Sequence, residues 1–331
     1  LVDEGLMRMD YIVGVDFGGT NLKAGLVNCL TGEVTSIHSI PTFSQDSPDG
    51  VMDRMAGLVE EVLSGFEAGR SSIGGIGIGV PGKINMEKGS TEFLPNMPGN
   101  WPGVPLASHI NHLTGYPVRL LNDVRAITFG EWKFGAGQGA DSIACFAIGT
   151  GIGGGLVVNN QLVLGVDGSA GELGHITIDF NGPVCGCGNH GCVEAYASGP
   201  AITAAGIKAV TQGRTTAIGH LVDYDLNKIT PELICQAALG GDQIAQEIYQ
   251  QAGFYLGIAV ANILVSTGPR RIVIGGGVAQ AGELLLAPIR ETICSRVKMM
   301  PVDQVEIMPA KLGTNAGIIG VAVWTRQQLM S

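Results

Sequence analysis

The chain carries one pattern twice, and that duplication restricts its fold more than any other feature. Tyr11-Ile-Val-Gly-Val-Asp16 reads as a short buried strand, Phe17-Gly-Gly-Thr20 as a tight turn, and Leu22 to Asn28 as a returning strand. The pattern recurs as a strand over Ser142 to Ala147, a turn through Gly149 to Gly155, and a return along Leu156 to Val158. A β-hairpin with a glycine tip, repeated at this separation, points to duplication of a lobe rather than to a short-period repeat. The length of 331 residues agrees, since it exceeds the size at which one hydrophobic core stops growing. Two related α/β lobes facing a central cleft are therefore expected.

Between the hairpins, Gly50 to Ala68 has helical spacing, with Met52, Met55, Leu58, Val59, Val62, Leu63 and Phe66 on one face. Ile73 to Val80 is strand-like and stops at Pro81-Gly82, and Ser90 to Pro105, rich in Pro, Gly and Asn, reads as a loop. A strand over Val118 to Leu121 closes on Asn122-Asp123, and Ala126 to Phe134 reads as a helix. After the second hairpin, Ile234 to Thr267 is helix-rich, followed by a strand Arg271 to Ile274, then Gly275-Gly276-Gly277, then another helix. Strand, glycine turn and helix in succession place a ligand at the strand's carboxyl end.

Composition removes several classes of function. The 19 basic and 29 acidic residues give a net charge of −10 without a basic stripe, so nucleic acid is not an expected partner. A polyphosphate ligand on so acidic a chain needs local positive potential from backbone amides, a lysine or a metal ion. No apolar run approaches the ~20 residues that span a bilayer, and the first is cut by Asp16. A cytoplasmic protein that neither enters a membrane nor is exported is expected. Leu1 to Met9 are set aside from the fold reading, carrying Asp3 and Glu4 in place of a basic leader. Of seven cysteines, Cys185, Cys187 and Cys192 crowd together while Cys29, Cys145, Cys235 and Cys294 are scattered among apolar neighbours, which argues against a disulfide framework.

Three groups of residues carry chemistry. In Asp16-x-Gly18-Gly19-Thr20-x-x-Lys23 the absent Cβ atoms let backbone amides approach a polyphosphate, Thr20 can bond an oxygen and Lys23 can offset charge. An ordinary hairpin tip is the plain alternative, weakened by the second turn at Gly149-Thr150-Gly151; neither turn is a Walker loop or a Rossmann fingerprint. Asp123, after Asn122 at a strand end, is placed as a catalytic base, with a structural Asn-Asp turn or helix N-cap as the alternative. Glu172-x-Gly174-His175 followed by Cys185-Gly-Cys187-Gly-x-x-Gly191-Cys192-x-Glu194 supplies three thiolates and an imidazole, a closed tetrahedral set that makes a structural rather than catalytic zinc. The other histidines, His38, His109, His112, His190 and His220, have no partner legible in the sequence.

With these motifs in hand, the sequence resembles the ROK (repressor, open reading frame, kinase) family along residues 11 to 325. Asp16-Phe-Gly-Gly-Thr20-Asn-Leu-Lys23 and Ile148-Gly-Thr-Gly-Ile-Gly-Gly-Gly155 resemble its two phosphate motifs, and Glu172-Leu-Gly-His175 with Cys185 to Glu194 its signature and zinc knuckle. The resemblance implies an α/β actin-like ATPase (ribonuclease H-like) fold. Its two duplicated lobes would be a smaller one over 10–123, with a helix of about 315–331 packing back on it, and a larger one over 124–314 that carries the knuckle 175–194. It implies ATP, Mg2+ and a structural Zn2+ as cofactors, a hexose as substrate, and a homodimer or dimer of dimers. Asp123 would be the general base. Asn122, Glu172, His175 and Glu194 would bind the sugar, with Gly82 and Asn96 as further contacts. His175, Cys185, Cys187 and Cys192 would hold zinc, and Gly275, Gly276 and Gly277 would border the adenosine. Arg125 stands where a variable residue is expected.

The stretch from Gly130-Glu131-Trp132 to Gly137, with Ala195-Tyr-Ala-Ser198, is similar to bacterial glucokinases, so 6-phosphorylation of glucose is the expected activity. Fructokinases and N-acetylmannosamine or N-acetylglucosamine kinases share the fold. The family's repressors carry a winged helix-turn-helix ahead of the body, and with the first phosphate motif at Asp16 a repressor is not expected. A sugar-binding sensor without turnover is the remaining alternative.

Overall fold

The computed structural model describes residues 9–66, 72–95 and 97–331. They fall into two compact units, one from Leu1–Gly139, Leu162–Ala170 and Lys311–Ser331, the other from Ala140–Gln161 and Gly171–Ala310.

The first unit begins with β1 (Tyr11–Phe17), β2 (Asn21–Asn28), β3 (Val34–Pro41), α1 (Pro48–Ser64) and β4 (Ile73–Val80). It continues with the small hairpin β5 (Lys83–Asn85) and β6 (Ser90–Phe93), α2 (Leu106–Thr114), β7 (Val118–Asn122) and α3 (Asp123–Phe134). Its sheet has the order β3-β2-β1-β4-β7: β1 runs antiparallel to β2 and parallel to β4, and β4 runs parallel to β7. α1 starts where expected of a capped amphipathic helix, since Ser47 accepts from the Gly50 amide and Pro48 occupies the first turn. Its apolar face, Met52, Met55, Leu58, Val59 and Val62, is buried in the core with Val13, Val15 and Phe17 of β1. The expected extension to Ala68 lies partly outside the described residues. Ser90 to Pro105, expected to be all loop, contains β6, whose pairing with β5 satisfies backbone groups across the Gly89 turn.

The second unit contains β8 (Ile143–Ile148), β9 (Ile152–Val158), β10 (Gln161–Leu162), α4 (Glu194–Ala197), α5 (Gly199–Thr211), α6 (Ile218–Leu221) and α7 (Pro231–Leu239). α8 (Gln243–Thr267), β11 (Arg271–Gly275), α9 (Glu283–Arg296) and β12 (Glu306–Pro309) complete it, and α10 (Ala316–Met330) returns to the first unit. Its sheet order, β10-β9-β8-β11-β12, reproduces that of the first, with β8 antiparallel to β9 and β11 parallel to both β8 and β12. The glycine turn is shorter than the sequence suggested, because β9 begins at Ile152 and takes Gly153, Gly154 and Gly155 into the ladder. A Cβ on Gly154 would strike the Leu173 side chain, so glycine here serves close packing within a strand.

The sequence placed the end of the first lobe at Asp123, whereas the first unit runs through α3 to Gly139. α3 and α10 cross with their backbones in contact: a Cβ on Gly130 would lie 2.5 Å from the Ala316 carbonyl oxygen, and one on Gly320 would strike that of Ala126. Among the described residues α8, 25 residues long, is the one helix long and apolar enough to cross a membrane; its most apolar 18-residue stretch has a mean hydropathy of 1.3 and is 61% buried inside the protein, as befits a core helix.

Candidate active site

In the first unit the carboxyl ends of three parallel strands meet. Asp16 of β1 lies opposite Gly79 of β4, and Val80 opposite Asn122 of β7. A Cβ on Gly79 would touch the Val15 oxygen at 3.6 Å and the Asp123 Cα at 3.7 Å, so Gly79 lies between the two acids. Protein packed round Asp16 pushes its carboxyl above the ordinary range, with Lys23 acting in the opposite direction. Asp16 also lies near the first turn of α10, where a Cβ on Gly317 would stand 3.6 Å from its carboxyl carbon. Beyond it, the Gly18 amide closes the turn on the Asn21 oxygen at 3.0 Å, followed by Gly19 and the exposed Thr20.

Lys23 does not stand free beside that turn. Its ammonium donates to the Thr314 carbonyl and hydroxyl at 3.0 Å and to Asn315 Oδ1 at 2.8 Å, just ahead of α10. Asn122 is the N-cap of α3: Oδ1 accepts from the Val124 amide at 3.1 Å, the Arg125 amide at 3.2 Å and Arg125 Nη1 at 2.9 Å. Its Nδ2 donates to the Gly82 carbonyl at 3.1 Å, tying β7 to the turn after β4. Gly82 has φ +78°, and a Cβ there would strike the Phe93 carbonyl. Half-buried Asp123 opens α3, with Oδ1 accepting from the Val124 amide at 2.8 Å. Asn96 lies outside the described residues.

Two residues named in the sequence reading were given no role there, Arg125 standing where a variable residue is expected and Glu131 lying within the glucokinase-like stretch. Arg125, 2% exposed, donates from Nε to the Ala170 carbonyl at 2.8 Å as well as holding Asn122. Glu131 is fully buried, and its carboxylate accepts from the Ala136, Lys311 and Leu312 amides. The available signal was two charged residues, Arg125 and Glu131, among the buried Ala126, Thr128, Phe129, Gly130 and Trp132 of the same helix.

In the second unit the β8–β9 turn is Gly149-Thr150-Gly151, closed by the Gly149 amide donating to the Gly151 oxygen at 2.9 Å. Gly275 ends β11, and Gly276, at φ +87°, packs its backbone on Ile148 at the end of β8, so the two glycine motifs adjoin. Gly149 and Gly277 lack positive φ, and a Cβ on either would meet nothing within 4 Å. That space beside backbone amides is what an approaching phosphate or nucleotide requires.

His175, Cys185, Cys187 and Cys192 present one ligand atom each, all within 4.8 Å of one another. Cys187 Sγ lies 3.7 Å from Cys192 Sγ, and Cys185 Sγ 3.6 Å from His175 Nδ1. Tetrahedral zinc with Zn–S bonds of ~2.3 Å requires sulfurs about 3.8 Å apart, so the donor set fits structural zinc. Burial pushes the Cys185 thiol up to about 12, a cost that a bound dication offsets by deprotonating it. The opposite ring nitrogen, His175 Nε2, faces Glu172 at 4.0 Å, the arrangement in which a carboxylate orients a metal-binding imidazole. Glu194 joins the knuckle to the glycine turn: Oε1 accepts from Cys185 Sγ at 3.4 Å and Oε2 from the Ile152 amide at 2.9 Å.

The ROK family model matches residues 12–328. A glucokinase of Halalkalibacterium halodurans is 36% identical, over 96% of this chain and 96% of that protein. The xylose repressor of Bacillus subtilis is 32% identical, over 95% of this chain and 77% of that protein. The crystal structure of a ROK family glucokinase from Streptomyces griseus, in complex with glucose and AMPPNP, superposes with a TM-score of 0.81 at 32% identity, covering 96% of this chain and 99% of that one. The fold is the actin-like ATPase fold that the sequence implied.

Proposed function

The chain belongs to the ROK family, and from that premise we propose that it is a sugar kinase transferring the γ-phosphoryl group of ATP to the 6-hydroxyl of a hexose, with glucose preferred. The observation that carries this reading is the meeting of Asp16 and Asp123 about Gly79 at the carboxyl ends of β1, β4 and β7. The similarity to glucokinases over nearly their whole length supports the sugar.

Asp123 accepts the proton of the attacking hydroxyl as its oxygen bonds to the γ-phosphorus and ADP leaves. The Val124 amide and the Asn122 cap fix that carboxylate at the start of α3. Mg2+ carried with ATP would be held near Asp16 and would neutralise phosphate charge. Backbone amides of the turns Gly18-Gly19-Thr20 and Gly149-Thr150-Gly151 serve the phosphates, and Gly275 to Gly277 border the nucleoside. Gly82, Asn96, Glu172, His175 and Glu194 serve the ring hydroxyls. Zinc on His175, Cys185, Cys187 and Cys192 would hold His175 in place, while the Ile152 amide holds Glu194. The 6-hydroxyl is the acceptor because it is primary and reaches furthest from the ring.

ADP release measured with glucose, mannose, fructose, glucosamine, N-acetylglucosamine and N-acetylmannosamine tests the reading. Glucose is expected to give the highest kcat/KM, and Asp123→Ala to lose ~10²–10⁴-fold in kcat. Another sugar exceeding glucose tenfold refutes the glucose assignment alone. No turnover of any sugar refutes the kinase and leaves the non-catalytic sugar-binding role suggested by the similarity to xylose repressors.

A further inference from the structure

A fully buried carboxylate without a basic side chain beside it is costly unless backbone donors surround it. Glu131 meets that condition with three amides: Ala136 N at 2.8 Å, Lys311 N at 3.0 Å and Leu312 N at 2.8 Å. Its own carbonyl also accepts from Gly135 and Gly137. Lys311 is the first residue of the chain's last return to this unit, and Ala136 lies shortly before the chain first leaves it after Gly139. Glu131 therefore ties the first departure to the last return.

The residues that follow Leu312 reach the phosphate turn. Gly313–Asn315 is a single tight helical turn, whose Thr314 and Asn315 accept all three bonds from the Lys23 ammonium. Asn315 leads directly into α10, whose Gly317 lies beside the Asp16 carboxyl, and Asp16 is paired with Lys23 across β1 and β2. A continuous run of bonds thus joins α3, two turns beyond Asp123, to the first glycine turn.

We propose that Glu131 is a positioning residue for the phosphoryl donor, holding segment 311–317 so that Lys23 and Asp16 keep their places beside the first glycine turn. The inference rests on the sugar-kinase reading. It separates donor from acceptor, because the sugar contacts Gly82 and Asp123 are tied together through Asn122 by bonds that involve no residue of segment 311–317.

The test measures kcat and both Michaelis constants for wild type, Glu131→Gln, Glu131→Asp and the double variant Thr314→Val/Asn315→Ala. Hydrogen exchange is followed over 311–317. Glutamine keeps the shape but turns an N–H toward backbone donors. Glu131→Gln is expected to raise KM for Mg-ATP at least about tenfold while KM for glucose stays within about twofold, with faster exchange over 311–317. Glu131→Asp should recover part of the loss. The double variant, which leaves the buried carboxylate intact, should raise KM for Mg-ATP at least about threefold. If Glu131→Gln does not fold, the double variant decides: an unchanged KM for Mg-ATP overturns the proposal. Equal change in both constants, or none, in folded Glu131→Gln also overturns it while the kinase reading stands. A wild-type protein without turnover overturns both.

Discussion

Asn122→Ala separates two roles that the sequence left open for this residue, helix cap and sugar ligand. Its Oδ1 accepts from two backbone amides of α3 and from the Arg125 guanidinium, and the residue is 8% exposed. Losing an N-cap costs about 1 kcal/mol. A buried hydrogen bond to a charged group adds roughly 1.5–3 kcal/mol, since Arg125 loses one of its acceptors where water does not replace it. The combined loss of about 2–4 kcal/mol corresponds to a drop in Tm of roughly 4–15 °C for a unit of this size. Tryptophan fluorescence reads that drop cleanly, because Trp101, Trp132 and Trp324 all belong to the first unit. Asn122→Asp is the control: it keeps the acceptor for both amides and for Arg125, and replaces the donor to the Gly82 carbonyl with a charged oxygen. It should hold most of the stability. If Asn122→Ala unfolds within 1 °C of wild type while KM for glucose rises steeply, the cap argument fails and Asn122 acts as a sugar ligand.

Asp16→Asn should raise Tm at neutral pH. Burial raises the Asp16 carboxyl above the ordinary carboxylate range, so its contribution to stability is present at and below that range and lost as pH rises through the raised value. The variant's Tm should therefore vary less with pH above the ordinary range, and an unchanged slope would contradict the assignment. Protein purified without added zinc should carry one zinc per chain and Cys192→Ser none, measured by atomic emission; full activity without metal would refute a structural zinc. Gly276→Ala, forced to φ +87° against Ile148, should destabilise the second unit by about 1–3 kcal/mol in urea unfolding. Gly277→Ala, at φ −61° with open space, should leave stability unchanged yet raise KM for Mg-ATP; an unchanged KM would remove that turn from the nucleotide site.

The hairpins and the knuckle were legible because each is local. β1, its glycine turn and β2 lie within Tyr11–Asn28, and the four metal ligands within His175–Cys192, so spacing alone brings them together. What the sequence did not yield depends on partners far along the chain. Lys23 was legible as a cation beside the glycine turn, whereas its bonds to Thr314 and Asn315 are invisible from its own neighbourhood. Glu131 had the appearance of an ordinary helical glutamate, since the Lys311 and Leu312 amides that justify its burial lie across the chain. The glycines of β9 looked like a longer turn for the same reason: Leu173, which excludes a side chain at Gly154, is remote in sequence.

The duplication itself shows which part of the site is architecture and which is chemistry. By sheet order β1 corresponds to β8, β4 to β11 and β7 to β12. Both copies put glycine at the carboxyl end of the strand parallel to the first hairpin strand, Gly79 one residue before the end of β4 and Gly275 at the end of β11, and both have a glycine-bearing turn after the hairpin strand. The acids do not repeat. Where β1 ends in Asp16-Phe17, β8 ends in Ala147-Ile148, and where β7 runs into Asn122-Asp123, β12 runs through Pro309 into Ala310. Backbone turns with little side chain are thus common to both units, as expected of a fold that offers amides to phosphate wherever parallel strands end. At these strand ends, carboxylates able to take a proton or sit beside a cation occur in one copy only, which is why removal of Asp123 should cost ~10²–10⁴-fold in turnover while the fold retains both glycine turns.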